Sequence, residues 1–310
     1  LSAWDLAGRS SDIAATIVID TPDKTFASER QTDASVTLAG HRLALTRQWR
    51  EANAGAPDST GQDFGNWSLP LLASRLGSDQ PATLENGATA PWSDGARVWL
   101  SAPTDPGDGD AGLSNLSFTL VLQSERLGNE AAAPQVWHPH FAADQGWTLQ
   151  AHATAGHLTP DNVQRQGDRL YEQISGLPWV PTAYTLTAPD GARYTLDAAG
   201  AIQRVTFADG ESWLVSDAGI AAVSGDFTER VDFLRDSSGR IVRITTPEAG
   251  AGHAGGQAVA IAYRYDSAGR LILVRHLDGA DPGTPLAYTA AGQPVSEPPS
   301  ARLGAMVTWG

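Results

Sequence analysis

Cysteine is absent from this chain of 310 residues, and Lys24 is its only lysine. Without cysteine the protein can form no disulfide bond, no cysteine-bound iron–sulfur cluster and no thiol nucleophile. No apolar run approaches the roughly 20 residues with which a helix crosses a bilayer, so we expect no membrane span.

Basic residues are few, because Lys and Arg together number 21 against 35 Asp and Glu, giving a formal net charge of −14 at pH 7. A nucleic-acid surface needs clustered Lys and Arg, and the chain has no basic run. We therefore expect no nucleic-acid partner. An acidic, lysine-poor, cysteine-free chain rich in Gly, Ala, Thr and Asp is typical of exported bacterial proteins, and we expect a secreted, extracellular location.

Motifs of catalysis are also missing from the sequence. There is no Gly-x-Ser-x-Gly nucleophile elbow, no His-Glu-x-x-His zinc motif and no phosphate-binding glycine loop before a helix. Nothing singles out two of the 35 acidic residues as a glycosidase pair. A hydrolase therefore has no motif in its favour, and we predict a protein without enzymatic activity.

The C-terminal part of the chain contains a repeated motif, Asp-x-x-Gly followed by an apolar residue. A last copy at residues 288–293 has Thr289 in place of the aspartate, and the copy at residues 216–220 is one residue shorter. Self-similarity at a nearly fixed period predicts an array of stacked supersecondary units. The repeat-turn residues are Asp197 and Gly200, Asp217 and Gly219, Asp236 and Gly239, and Tyr265, Asp266 and Gly269.

Each copy of the motif has the chemistry of a turn between two strands. Aspartate at the first position and glycine at the fourth favour a type I turn whose glycine is left-handed. Strict alternation after the turn at Asp236 predicts that Ile241 and Arg243 face opposite to Val242 and Ile244. Further Asp-Gly pairs at Asp190, Asp209 and Asp278 are hairpin signals. The sequence therefore predicts an antiparallel sheet that winds from strand to turn to strand.

Residues 263–271 (YRYDSAGRL), followed by Leu277-Asp278-Gly279, resemble the tyrosine–aspartate (YD) repeats of the RHS family. This family includes bacterial Rhs polymorphic toxins, toxin-complex B and C subunits and teneurins. The resemblance covers residues 184–293. Residues 36–49 and 64–71 are similar to the segment that precedes the repeats in Rhs proteins and plugs the barrel, with Phe64 where the family has a glycine.

These patterns predict an all-β fold, in which a plug-like β domain precedes an antiparallel YD-repeat strand-turn array that forms part of a spiralling β shell. We divide the chain into an N-terminal β domain (1–125), an irregular connecting segment (126–182) and the repeat sheet (183–310). Residues 161–170 are predicted to form either a short helix or a polar turn. The predicted N-terminal strands are residues 15–20, 35–49, 67–76, 97–102 and 117–124.

An acidic loop provides the best candidate for a metal. Asp105, Asp108 and Asp110 place three carboxylates in a glycine-rich loop, and such oxygens suit Ca²⁺. The loop lacks the bidentate glutamate of an EF-hand, and a solvated turn is the alternative. We expect no cofactor other than possible calcium.

Two histidines suggest a second metal site. His138 and His140 would share a face of a strand and could bind zinc with His152 or His157. The alternative is that these histidines line a packed loop.

The ten tryptophans have two interpretations. Exposed indoles could bind sugar rings, whereas buried ones fill a β core, and we expect the core role. They are Trp4, Trp49, Trp67, Trp92, Trp99, Trp137, Trp147, Trp179, Trp213 and Trp309.

The resemblance implies a structural encapsulating module, part of a hollow β cocoon that holds a toxic effector. The partners would be the enclosed effector and further YD repeats, supplied by another chain or by a C-terminal continuation. The chain begins at Leu1 rather than methionine, so we expect that it is processed, trimmed or a fragment. The self-cleavage motif of Rhs proteins is absent, and Asp281-Pro282-Gly283 is its only near match.

The alternative function is that of a secreted carbohydrate-binding or adhesive β protein with tryptophan platforms and a calcium loop.

Overall fold

The computed structural model describes residues 2–4, 10–12, 28–50, 63–84, 87–103, 113–126, 135–153, 161–224, 227–246, 260–277, 282–290 and 292–295. These residues form strands and turns throughout, and none of them is helical. The predicted all-β class is therefore confirmed. Since the described part contains no helix, it also contains none long and apolar enough to cross a membrane.

The strands vary from two residues to fourteen. They are β1 (Ser2–Trp4), β2 (Ser10–Asp12), β3 (Ser28–Leu38), β4 (His41–Arg50), β5 (Trp67–Ser68), β6 (Arg75–Ser78), β7 (Arg97–Pro103), β8 (Leu113–Arg126), β9 (Gln135–Phe141), β10 (Thr148–His152), β11 (Val163–Gln166), β12 (Arg169–Glu172), β13 (Ala183–Thr187), β14 (Arg193–Asp197), β15 (Ile202–Thr206), β16 (Ser212–Ser216), β17 (Gly219–Ser224), β18 (Phe227–Arg235), β19 (Ile241–Thr245), β20 (Ala260–Tyr265), β21 (Leu271–His276) and β22 (Thr284–Pro285).

Eleven strands form the largest sheet, which we call the repeat sheet. Its order is β10 followed by β13 to β22 in chain order, and every pairing is antiparallel. From β14 onward, each strand lies next to the strand that precedes it in sequence. Short hairpin connections favour this arrangement, because a two- to five-residue turn can only join antiparallel neighbours.

A second sheet has six strands in the order β12-β11-β9-β8-β7-β6, and β3, β4 and β5 form a three-stranded sheet. Strand β10 lies between β9 and β11 in sequence but belongs to the repeat sheet, so the chain passes from one sheet to the other and back. Residues 126–182, predicted to be irregular, thus contain β9 to β12. Residues 161–170 hold β11, the turn at Gly167 and the start of β12, and no helix.

Two predicted N-terminal strands are each divided by a turn. Residues 35–49 were predicted as one strand, but β3 and β4 meet at Ala39 and Gly40, whose φ angles of 48° and 79° match a two-residue hairpin loop. The alternation of apolar and polar residues continues across the turn, which hides it in the sequence. Residues 67–76 similarly hold β5 and β6, separated by a turn at residues 69–73.

The predicted alternation after the repeat turns is wrong by one residue. Ile241 and Ile244 are both fully buried on one face, although they were predicted to oppose each other. The reason is a β-bulge opposite Leu234 and Arg235, which leaves Val242 without a pairing partner and shifts the phase. The same bulge recurs after the turns at Asp197 and Asp266.

One hydrophobic core joins the three larger sheets. It contains Leu43 from the hairpin, Phe118 from the six-stranded sheet and Ile244 from the repeat sheet. Trp213 of β16 is fully buried and donates its indole N–H to the carbonyl oxygen of Leu38 at 3.1 Å. The hairpin of β3 and β4 is therefore packed onto the repeat sheet rather than tethered beside it.

Candidate functional site

The repeat turns share one geometry, best seen at Asp236. Its amide donates to the carbonyl oxygen of Arg240 at 2.9 Å, and the Gly239 amide donates to the Asp236 carbonyl at 3.0 Å. Its Oδ1 accepts the amides of Ser238 and Arg240 at 2.9 and 3.0 Å. Gly239 is left-handed, with φ of 80°. The aspartate thus caps a type I turn that ends in a glycine.

The turns that begin at Asp197 and Asp266 repeat these bonds at 2.8 to 3.0 Å, and both of their glycines have φ of 80°. Burial opposes the ionisation of Asp236, but the side-chain and amide hydrogen bonds from Arg240 outweigh it and hold the pKa below its usual value. The amide of Arg270 is the main reason why the pKa of Asp266 is also lowered. Asp236 and Asp266 are therefore ionised caps.

A tyrosine and an arginine join each later repeat to the next, and we call the pair the Tyr–Arg contact. The Tyr265 hydroxyl donates to the carbonyl oxygen of Ile241, and the Arg240 guanidinium lies 4.6 Å from the centre of the Tyr265 ring. One repeat later, Tyr288 donates to the Leu271 carbonyl at 2.6 Å while Arg270 lies 5.4 Å from the Tyr288 ring. Each of these tyrosines thus forms a hydrogen bond between one repeat and the next.

This role was not predicted from the sequence, although a signal was present. Tyrosine directly precedes the turn at 266 and the turn at 289, and arginine follows the aspartate by four positions at both 240 and 270. Burial raises the pKa of the Tyr265 hydroxyl, so the group stays protonated and remains a donor.

The first repeat lacks both members of the Tyr–Arg contact. Ala201 occupies the arginine position, and Arg235 occupies the tyrosine position before Asp236. The Arg235 guanidinium bonds instead to the carbonyls of Asp217 and Gly239, at 2.8 and 2.7 Å, and to Asp63 Oδ1 at 3.0 Å.

Residues 63–76, which we call the contact segment, lie along the row of turns. The Asp63 carbonyl accepts the Ile241 amide at 2.6 Å, and Asn66 Oδ1 accepts the Leu271 amide at 3.3 Å. At the first repeat, the Leu76 amide donates to the carbonyl of Ala199 at 2.8 Å. The contact segment therefore touches all three Asp-x-x-Gly turns.

Two glycines allow this close approach. A Cβ on Gly65 would lie 2.0 Å from the Gly269 carbonyl oxygen, and a Cβ on Gly200 would lie 2.4 Å from the Leu76 nitrogen. Both distances are shorter than any real carbon contact, so a side chain at either glycine would separate the contact segment from the turns.

A buried ionic cluster fixes the hairpin of β3 and β4 against the repeat sheet. Arg47 is fully buried and donates from Nε to Asp33 Oδ2 at 2.6 Å and from Nη2 to Asp33 Oδ1 at 2.8 Å. Tyr263 of β20 donates its hydroxyl to Asp33 Oδ2 at 2.9 Å. Burial opposes the charge of Arg47, but Asp33 outweighs it and raises the pKa of the guanidinium. Burial, with Asp33 beside it, also raises the pKa of Tyr263.

A cleft of about 910 Å³ opens between the contact segment and the row of repeat turns, from the turn at Asp197 to the turn at Asp266. Asp63 and Arg75 line one side, and Ala201, Ile202 and Asp217 line the other. Burial raises the pKa of Asp63, although hydrogen bonds from Arg235 and the Leu69 amide act against the shift. A polar cleft of this size can hold several residues of a ligand.

The shortened motif copy has a different geometry. Asp217 and Ala218 form a two-residue loop between β16 and β17, and the Asp217 side chain is 99% exposed. Gly219 has φ of 148°, and a Cβ there would lie 2.0 Å from the Val231 carbonyl oxygen. Glycine is required here because strand β18 lies so close.

Two of the predicted zinc ligands, His138 and His140, lie on β9, whereas His152 lies on β10. His138 Nε2 is 2.9 Å from Glu125 Oε2, and His140 is exposed on the same strand. His152 lies in the repeat sheet, with Nε2 3.0 Å from Thr185 Oγ1. His157 lies outside the described residues.

The predicted calcium ligands Asp105, Asp108 and Asp110 also lie outside the described residues. Where side chains are described, no group of three or more His, Cys, Asp or Glu is arranged to hold a metal ion.

Most described tryptophans are in the core. Trp49, Trp67, Trp92, Trp147, Trp179 and Trp213 are buried, as expected for core residues. Trp137 is partly buried, and Trp99 of β7 is the exposed one, with 48% of it accessible to solvent.

Comparison with models of known protein families gives no match for this chain. Comparison with curated proteins gives no match either.

Proposed function

We propose that this chain is a structural module without enzymatic activity, part of a hollow β shell of the RHS/YD-repeat type that encloses a toxic effector. The observation that carries the proposal is the Tyr–Arg contact, which repeats between consecutive turns of a sheet whose strands follow chain order. Its residues bond repeat to repeat and are not directed at a substrate. This is what a wall built from one repeated unit requires.

The edge of the repeat sheet supports an extended array. After β22, the Leu286 amide still donates to the Ile272 carbonyl at 3.0 Å, and Tyr288 bridges to Pro294 across another glycine turn. An exposed strand edge invites further pairing. In the proposed shell, further repeats from a continuation of the chain or from a partner would occupy this edge.

The contact segment and the buried Arg47 cluster support a plug role for the N-terminal part. Both bind the repeat sheet through specific polar bonds rather than by apolar packing alone. The net charge of −14 suits retention of a basic effector. We propose a secreted bacterial protein on the same grounds of composition.

The test uses the natural protein purified from its source cells, with whatever accompanies this chain. Electron microscopy should show a hollow particle, and protease should degrade an accompanying effector only after the particle is opened by denaturant. A compact particle without an internal space would contradict the proposal. So would an effector that is digested equally fast inside the complex and alone.

The exposed Trp99 supports a second candidate function, carbohydrate binding. It pairs across the strands with Ser117 and Gly77, and the missing side chain of Gly77 leaves the indole uncovered. Flat indoles of this kind stack on sugar rings. A glycan array is the test: binding lost in Trp99→Ala and kept in Leu214→Ala, a control at another exposed apolar residue, would favour this function. An array without any bound glycan would contradict it.

A further inference from the structure

The face of the repeat sheet that points away from the core carries a group of exposed arginines. Arg243 lies in β19, Arg264 in β20 and Arg275 in β21. Each is next in sequence to a buried core residue, so the alternation of the strand directs the arginine to the opposite face. The sequence shows no basic run, because three separate strands supply the three side chains.

The strand register brings these arginines close together. Arg243 pairs with Ala262, two residues before Arg264. Arg264 in turn pairs with Leu273, two residues before Arg275. Diagonal neighbours of this kind lie about 7–8 Å apart on one face of a sheet. Like charges are thus held side by side, which costs stability unless an anion lies between them.

The nearest described carboxylates are already bound to other arginines. Asp232 is a diagonal neighbour of Arg243, but it forms its ion pair with Arg230 of its own strand. The aspartates of the two adjacent turns are bonded in the same way, Asp236 to Arg240 at 2.7 Å and Asp266 to Arg270 at 2.8 Å. Among the residues that the structure describes, no carboxylate forms an ion pair with Arg243 or Arg264. The chain has 35 acidic residues for 21 Lys and Arg, yet this face has a local excess of positive charge.

Apolar side chains lie between the arginines. Leu234 pairs with Arg243 and is 59% exposed, and Leu273 pairs with Arg264 and is partly exposed. We call the whole group the arginine patch: Leu234, Arg243, Ala262, Arg264, Leu273 and Arg275. Arginine beside exposed leucine is typical of surfaces that bind other proteins. Single-stranded nucleic acid instead stacks its bases on aromatic side chains, and the arginine patch has none.

We propose that the arginine patch binds an extended acidic segment of a partner protein, with one apolar residue and two carboxylates at every second position. Such side chains share one face of the segment and lie about 7 Å apart, close to the spacing of the diagonal arginines. The apolar residue covers Leu234, and the two carboxylates bind Arg243 and Arg264. This inference depends on β18 to β21 alone and not on the proposed shell.

The probe is an end-capped peptide of sequence Ser-Leu-Ser-Glu-Ser-Glu-Ser, titrated into the chain at about 0.15 M salt, where long-range attraction is screened. In methyl NMR spectra of the wild-type chain, it should shift the resonances of Leu234, Ala262 and Leu273 saturably and leave those of Leu43 in β4 unchanged. Unshifted resonances of the arginine patch at about 10 mM peptide, a Kd too weak to matter, would overturn the proposal.

A control peptide of the same composition, Ser-Leu-Glu-Ser-Ser-Glu-Ser, has only one carboxylate on the face of its leucine. It should bind more weakly, and equal binding of the two peptides would overturn the proposal. A sulfated oligosaccharide and an oligothymidylate test whether the arginine patch binds any polyanion. If either displaced the peptide at a lower concentration than the peptide's own Kd, the acidic segment would not be the preferred ligand and the proposal would be overturned.

Two matched double variants locate the site. Arg243→Gln with Arg264→Gln should weaken binding of the first peptide about tenfold, because two exposed ion pairs are lost. Arg193→Gln with Arg204→Gln removes the same charge from two exposed diagonal neighbours on β14 and β15 of the same sheet, and should weaken binding less than about twofold. Equal weakening by both double variants would show that only the net charge matters and would overturn the proposal.

Discussion

The hydroxyl group of Tyr265 makes a hydrogen bond in the Tyr–Arg contact, and a phenylalanine at this position would remove the bond while keeping the aromatic ring. Tyr265→Phe removes the donor to the Ile241 carbonyl, which also lies beside the Asp63 contact. We expect the free energy of unfolding to fall by about 1–2 kcal/mol, because a partly buried carbonyl loses its partner. Urea unfolding measures this change.

The matched control is Tyr171→Phe in β12, whose hydroxyl makes no hydrogen bond in the described part of the chain. We expect this change to leave the stability within about 0.5 kcal/mol of the wild type. If both variants lose the same unfolding free energy, the hydrogen bond from Tyr265 to the preceding repeat does not stabilise the fold.

The turn glycines are required for their backbone conformation. Gly269 has φ of 80°, and its Cβ would lie 3.2 Å from an Arg240 nitrogen. Gly269→Val should therefore cost about 1–3 kcal/mol in unfolding free energy. Gly77→Val is the control, since Gly77 is in a strand with nothing within 4 Å of a Cβ, and valine should be tolerated there. Equal melting temperatures of wild type and Gly269→Val would show that a side chain at this position causes no backbone strain.

At the scale of elements, the sequence predicts turns well and strand phase poorly. Asp-x-x-Gly and Asp-Gly are local signals, and the turn at Asp236 follows from local chemistry. The bulge after it does not, because the extra residue Val242 is identified only by the way its neighbours Ile241 and Arg243 pair with β18. The hairpin at Ala39 was missed for a related reason, since a two-residue loop keeps the alternation intact.

The candidate site was even less predictable, because distance along the chain hides its partners. Asp63 and Arg235 are 172 residues apart, and no local pattern joins them. Tyr263 and Asp33 are 230 residues apart. The sequence could identify these residues as polar or aromatic, but only the packing of the contact segment on the row of turns brings them together.

The contact segment should respond to pH through Asp63. Burial raises the folded-state pKa of this carboxyl above its unfolded value of about 3.8. The folded state then binds the proton more tightly than the unfolded state does. Protonation of Asp63 therefore stabilises the fold fully below about pH 3.8, and this stabilisation is lost as the pH rises through the folded-state pKa. Relative to Asp63→Asn, the wild type should therefore lose stability over the pH range that begins at about pH 3.8, as the pH rises through the folded-state pKa.

Urea unfolding of wild type and Asp63→Asn across that pH range measures the difference. A control in Asp209→Asn should show the opposite sign, because the amide of Glu211, with His41 beside it, lowers the pKa of this exposed carboxyl. If the free energy of unfolding of the wild type, relative to Asp63→Asn, instead increased with pH, the prediction would be wrong. The ion pair with Arg235 would then lower the pKa of Asp63 more than burial raises it.

At the scale of the whole molecule, one core and one buried ionic cluster join the hairpin to the repeat sheet, and this predicts cooperative unfolding. Arg47→Met leaves the Asp33 carboxylate buried without its cation, which should cost about 3–5 kcal/mol. Because Asp33 also holds Tyr263 of β20, the loss should reach the repeat sheet.

Hydrogen exchange tests this coupling at two amides, Leu45 in β4 and Ile244 in β19. In Arg47→Met both should lose protection by the same free energy, since both elements share one core. The double variant Arg47→Met with Asp33→Asn should recover part of the loss, because the unpaired charge is gone. If Leu45 alone lost protection, the N-terminal hairpin would be a separate unit lying on an independently stable array, and the repeat sheet would stand without its plug.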